Sequence, residues 1–214
     1  MKEVLLSTTY FGPIQWYQKL YRAEKVLIDC DENFQKQTYR NRCLIATTNG
    51  IQALTVPVER NCQLSARPEG ALSLERIVNY IKDVRISDHG NWRHLHWNAL
   101  ISAYGESPFF EYYQDDIRPF FEQRWDFLLD FNEAIRTKMC ELIDIQPNVS
   151  LTEEFTINKI IDYRSAINPK HPASDPEFTP RPYYQVWQQR YGFLPNLSIL
   201  DLLFNMGPES ILYL

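Results

Sequence analysis

A strand–helix–strand opening constrains this chain more than any other feature. Glu3–Thr9 and Glu24–Asp29 are short, apolar and strand-like; between them Gly12-Pro13 opens an amphipathic stretch in which Ile14, Trp16, Tyr17, Leu20 and Tyr21 recur at roughly helical spacing. Proline suits the first turn of a helix, where its missing N–H has no intrahelical partner to lose. A helical crossover favours parallel pairing of the two strands it joins. Parallel sheets usually gather ligand groups at the carboxyl ends of their strands, which directs attention to Asp29.

A hairpin signal follows: Leu44–Thr47, then Asn49-Gly50, then Ile51–Val58, with Asn-Gly supplying the positive φ values of a tight turn. Leu64–Leu72 reads as a loop, Ser73 as the cap of a modest helix over Glu75–Tyr80, and Asp83–Ser87 as a further strand. A helix is expected from Asn91 to its stop at Gly105, then an aromatic connector at Pro108–Tyr113 and helices near Asp115–Gln123 and Phe127–Ile143. Pro147–Pro182 is polar and proline-rich and reads as a long, lid-like surface excursion. Tyr183–Tyr191 and Ser198–Asn205 close the chain as short helices. The pattern predicts an α+β fold, with a mixed sheet near the N-terminus, a mainly helical remainder, and residues 1–214 forming one domain.

Composition excludes several classes. With a formal net charge of -5, the chain lacks the basic face of a nonspecific nucleic-acid binder. No apolar run approaches the roughly 18 residues of a membrane span, and the first residues lack the apolar core of a secretion signal. Cys30, Cys43, Cys62 and Cys140 are scattered without a CxxC pair, as expected of a reduced cytoplasmic protein. GxSxG, P-loop and GxGxxG signatures are all missing, so no cofactor is named, and the oligomeric state is left open.

The main candidate site is Phe34–Cys43, where Lys36, Arg40 and Arg42 lie among Gln35, Tyr39 and Asn41. Such a cluster can grip a phosphate or carboxylate; a solvated basic turn is the competing reading. The second candidate is Asn91–Asn98. His94 and His96 are two apart and point roughly 160° away from each other on a helix, so they cannot share a metal. On the face with Trp92, His96 reads as a general base or as a buried, hydrogen-bonded side chain. Asp29 reads as a base, a partner of Arg42 or a turn cap. Cys43 beside the cations is either an activated thiol or an inert buried one. Tyr163-Arg164 and Asn168-Pro-Lys170 add cations that can close over an anion.

These motifs, in this order, resemble the WbqC-like protein family, whose members are often encoded among genes for O-antigen and other surface polysaccharides. The resemblance is carried by Tyr10-Phe-Gly-Pro13, Asp29, Phe34-Gln-Lys36, Tyr39-Arg-Asn-Arg42, Leu54-Thr-Val-Pro-Val58, Trp92, His96-Trp97, Tyr104 and Pro108-Phe-Phe110. The closing Tyr183–Val186 and Gly192–Phe204 resemble Bacteroidetes-type members. Many relatives carry Gln-Pro before the first tyrosine, where this chain has Thr8-Thr9. The resemblance implies acyl or aminoacyl transfer to a nucleotide-linked amino sugar. Lys36, Asn41 and Arg42 would hold an anionic group, His96 or Asp29 would act as base, and Tyr39 and Trp92 would shape the pocket. The rival readings are a non-catalytic protein that binds a nucleotide sugar or a partner, and an acyltransferase using Cys43.

Overall fold

The computed structural model describes residues 2–59, 79–152 and 160–214. Strand β1 (Glu3–Ser7), helix α1 (Ile14–Arg22) and strand β2 (Lys25–Asp29) form the expected crossover unit. The two strands run parallel in a register that sets Leu5 beside Leu27 and Ser7 beside Asp29. Two bulky side chains of α1, Trp16 and Tyr17, are fully buried against this unit, and the Trp16 indole donates to the Ser7 carbonyl at 2.9 Å. The turn between β1 and α1 is tightly built. Phe11 takes φ 41, costly for an aromatic residue, and its carbonyl accepts from the Ser198 hydroxyl at 2.8 Å. A Cβ on Gly12 would lie 2.4 Å from Thr9 Oγ1, so only glycine fits there.

The hairpin is β3 (Arg42–Thr47) and β4 (Gly50–Thr55), antiparallel, with Gly50 at φ 93 in the turn. It forms a sheet of its own. The helical remainder comprises α2 (Trp92–Tyr104), α3 (Phe110–Ile117), α4 (Pro119–Glu122) and α5 (Leu128–Leu142). The fold is therefore α+β, as the pattern predicts.

Several boundaries differ from expectation. Thr8 and Thr9 lie beyond β1, and the aromatic connector is already the start of α3. Asp83–Ser87 makes only isolated bridges, Val58 to Ile86 and Arg85 to Phe127, after a single 3-10 turn at Ile81–Asp83. The anticipated Ser73 helix, apart from its last residues, and the Leu64–Leu72 loop lie outside the described residues. The proline-rich excursion contributes two strands, β5 (Val149–Leu151) and β6 (Ile161–Asp162). These pair parallel to β2 and β1, completing a four-stranded sheet of order β5-β2-β1-β6. All four strands point the same way, so their carboxyl ends share one edge.

Toward the C-terminus, only the last four residues of the expected Tyr183–Tyr191 helix form one, α6 (Gln188–Tyr191), and α7 (Ile199–Met206) is capped by the Ser198 hydroxyl on Leu200 N. Asp201 of α7 is fully buried and accepts from Tyr104 (2.9 Å), Tyr183 (2.6 Å) and Gln185 (2.9 Å). The Tyr104 hydroxyl also accepts from Ala46 N, tying hairpin, α2 and C-terminal segment to one carboxyl. Burial raises the pKa of Asp201 against these donors. Truncation would leave the buried Tyr104 and Tyr183 hydroxyls without an acceptor, while Gln185 keeps the Leu194 carbonyl; Asp201→Ala should therefore lower the unfolding free energy by about 3 kcal/mol in urea denaturation, and Asp201→Asn by clearly less. A loss under about 1 kcal/mol for the alanine variant would show that the network does not fasten the fold.

Candidate functional site

The carboxyl ends of the parallel strands open into a crevice of about 580 Å³. Its walls carry Asp29, Asp31, Glu32, Arg40, Asp162 and Arg164. Asp29, the last residue of β2, is 2% exposed; it accepts from Asp31 N at 3.0 Å and from Arg164 Nη1 at 2.5 Å. Arg164 follows β6 and also holds Asp162 through Nη2 at 2.7 Å, so its guanidinium bridges two strand ends. Beside it, Arg40 is 5% exposed and grips both carboxylate oxygens of Glu32, through Nε at 2.7 Å and through Nη2. Ser7, at the end of β1, accepts from Arg40 Nη2 at 2.9 Å and donates to Glu32 at 3.0 Å. Asn132 of α5 donates to the Arg40 carbonyl at 2.8 Å and fixes the backbone behind the guanidinium.

Electrostatically, four carboxylates face two arginines in the crevice, with exposed Lys82 reaching Asp31 at 2.5 Å. Burial raises the pKa of Glu32, opposed by its hydrogen bonds and charge pairing with Arg40. Arg40 and Arg164 also line a second, water-sized chamber of about 10 Å³ beneath the β1–α1 loop, together with Thr8, Thr9 and Tyr39. The hydroxyls of Thr8 and Thr9 are buried there without a hydrogen-bond partner among the described residues. Buried donors of this kind are rare outside sites that hold a water or a ligand group.

The predicted site residues separate. Asp29 lies on the crevice wall, and Tyr39 lines the small chamber with its hydroxyl pushed up to about 12 by burial. Lys36 is exposed, and Arg42 extends along the hairpin to Thr55 Oγ1 at 3.0 Å. Asn41 donates from Nδ2 to the Val56 carbonyl at 2.8 Å while its own carbonyl accepts from Val56 N at 2.8 Å, a clasp on the hairpin. Trp92 is buried, with its indole N–H on the Ser87 carbonyl at 3.0 Å. His96 lies in the core between Trp92 and Phe121, and its Nδ1 accepts from the Tyr10 hydroxyl at 2.9 Å. None of Lys36, Asn41, Arg42, Trp92 and His96 lines either chamber. Cys43 is buried in β3, and burial raises its thiol pKa, which suppresses the thiolate.

Sequence reasoning named Arg40 and Arg164 as cations but missed Glu32 and Asp162, the carboxylates that hold them. The usable signal was the strand-end rule already applied to Asp29: Glu32 lies three residues beyond it. Among the described residues no cluster of three or more His, Cys, Asp or Glu is placed to hold a metal ion, and no helix is long and apolar enough to cross a membrane.

Comparison with known proteins agrees with the motif pattern. The sequence profile of the WbqC-like protein family matches residues 8–171. The chain belongs to the WbqC-like protein family. It is similar to the uncharacterized protein Rv1507c of Mycobacterium tuberculosis, 25% identical over 243 residues that cover 100% of this chain and 98% of that protein. No solved structure matches it. Within this WbqC-like chain the motif residues take two kinds of place: Asp29, Tyr39 and Arg40 line the two chambers, while Tyr10, Asn41 and His96 join the elements behind them.

Burial holds His96 below the usual 6.5, at about 4, against the opposing hydrogen bond its ring makes to the Thr55 backbone. Between these two values the unfolded chain binds a proton that the folded one refuses. The contribution of this group to stability is therefore full above about pH 6.5 and is lost progressively toward pH 4. On going from pH 7 to 5, the wild-type unfolding free energy should fall about 2 kcal/mol further than that of His96→Gln. Equal falls in the two proteins would mean that the site accommodates the imidazolium.

Proposed function

We propose that this chain transfers an acyl or aminoacyl group to the amine of a nucleotide-linked amino sugar in surface-polysaccharide precursor synthesis, and that the reaction takes place in the strand-end crevice. The observation that carries this reading is the carboxylate-rich wall around Glu32. Arg40 and Arg164 are already engaged by Glu32, Asp29 and Asp162, so the crevice suits amine and hydroxyl groups better than a bare anion. Family membership supports the setting, and the position at the ends of parallel strands supports the location.

In this mechanism the incoming amine hydrogen-bonds to Glu32 and sits within reach of Asp29. Burial brings Glu32 closer to neutrality, as a general base requires. The amine nitrogen forms a bond to the acyl carbon, Glu32 takes the amine proton, and the bond to the donor's leaving group breaks with its electron pair. Arg40 keeps Glu32 oriented, and Arg164 spans Asp29 and Asp162 as the floor.

Incubating the protein with a nucleotide-linked amino sugar and activated acyl donors, followed by mass spectrometry, should reveal an N-acylated product. Glu32→Gln leaves Arg40 buried without its counter-charge and should lower the melting temperature, so turnover is compared per folded molecule well below that temperature, where product formation should be about a hundredfold slower or more. Tight binding of the amino sugar with no product from any donor would favour the non-catalytic reading. Undiminished turnover in Glu32→Gln would remove Glu32 from the role of base.

A further inference from the structure

A second cleft, of about 400 Å³, lies at the start of α2, lined by Arg93, His94, Trp97, Arg118, Phe121 and Arg124. It shares no lining residue with the strand-end crevice. Arg93 belongs to the first turn of α2, Arg118 precedes α4 and Arg124 follows it, so three guanidinium groups converge from different directions. Two carboxylates temper them. Asp88 meets Arg93 at 2.5 Å and Arg124 at 3.4 Å, and Glu122 meets Arg118 at 2.6 Å. One positive charge is left over, in a chain whose formal net charge is -5.

Arg93 is the informative member. Its guanidinium lies 4.7 Å from the centre of the Trp92 ring, and Nη1 is taken by Asp88. Nε and Nη2 are buried without a hydrogen-bond partner among the described residues. They are enclosed, so Arg93 would meet a ligand through Nη1 in place of Asp88, while the exposed guanidinium groups of Arg118 and Arg124 supply the forks matched to two oxygens of one anion. Helix α2 is 13 residues long and its Asn91 cap makes no side-chain hydrogen bond, so the partial positive charge of its first turn faces the same region. The rings of Trp97 and Phe121, 5.7 Å apart, form an apolar wall beside the cations.

We infer that this cleft is a binding site for a small phosphate-bearing molecule, with Arg93, Arg118 and Arg124 on the phosphate oxygens and Trp97 and Phe121 against the apolar part. Three guanidinium groups from three directions suit a group with several oxygens. The two acidic residues act as placeholders that the ligand displaces from Arg93, Arg118 and Arg124.

Isothermal titration of the full chain with inorganic pyrophosphate tests the cationic half directly. Wild type should bind, and the affinity should fall as salt rises. Arg118→Ala/Arg124→Ala removes two exposed side chains and should weaken binding about tenfold while leaving the melting temperature unchanged. Glu122→Gln frees Arg118 from its competitor and should tighten binding about threefold, a gain that misfolding cannot mimic. Glu32→Gln in the crevice should leave pyrophosphate affinity as it is. The inference is overturned by absence of binding, by equal affinity in the double variant, by unchanged or weaker binding in Glu122→Gln, or by loss of binding in Glu32→Gln.

Discussion

The buried pairing of Arg40 with Glu32 is the constraint around which the rest of the structure is arranged. Taking a guanidinium and a carboxylate out of water is costly, and the cost is offset only when each remaining donor and acceptor is met. Here Ser7 and Thr38 take two more of the guanidinium hydrogens, and Ser7 closes the ring onto Glu32. The pair thereby needs the end of β1, the turn after β2 and the approach to β3 in one place. Asn132 brings α5 to the same spot through the Arg40 carbonyl. Removing either charge would leave the other buried and uncompensated, so this pair is a point of specification more than a source of net stability.

Much of the frame was legible in the sequence. The crossover unit follows from Gly12-Pro13 between two apolar runs, and the hairpin from Asn49-Gly50. Periodicity could not find β5 and β6, because strands of three and two residues carry no pattern of their own and exist only through pairing with β2 and β1. The candidate site was half legible. The strand-end rule pointed to Asp29. The basic run gave charges without directions: Arg40, which the family resemblance leaves out of the anion-holding set, is the buried one, while Lys36 faces solvent. What decides between them is Glu32, a partner that spacing does not announce.

His96 shows the same limit from the other side. A histidine flanked by tryptophans suits either a base or a core hydrogen bond, and what separates the readings is the Tyr10 hydroxyl at Nδ1 together with the burial that disfavours the imidazolium. Through Tyr10 it ties α2 to the β1–α1 loop, the segment that carries Thr8 and Thr9 beside the small chamber.

The contact between Arg164 and Asp29 joins residues 135 positions apart in the chain. A nascent polypeptide can complete β1, α1, β2 and the hairpin long before that arginine has been made. Until then Asp29 lacks the counter-ion that its burial demands, and the sheet lacks both outer strands. The charges on the crevice wall can thus be matched only once that long-range closure has been made. The proposed ligand crevice therefore lies where the sheet depends on contacts between distant parts of the chain.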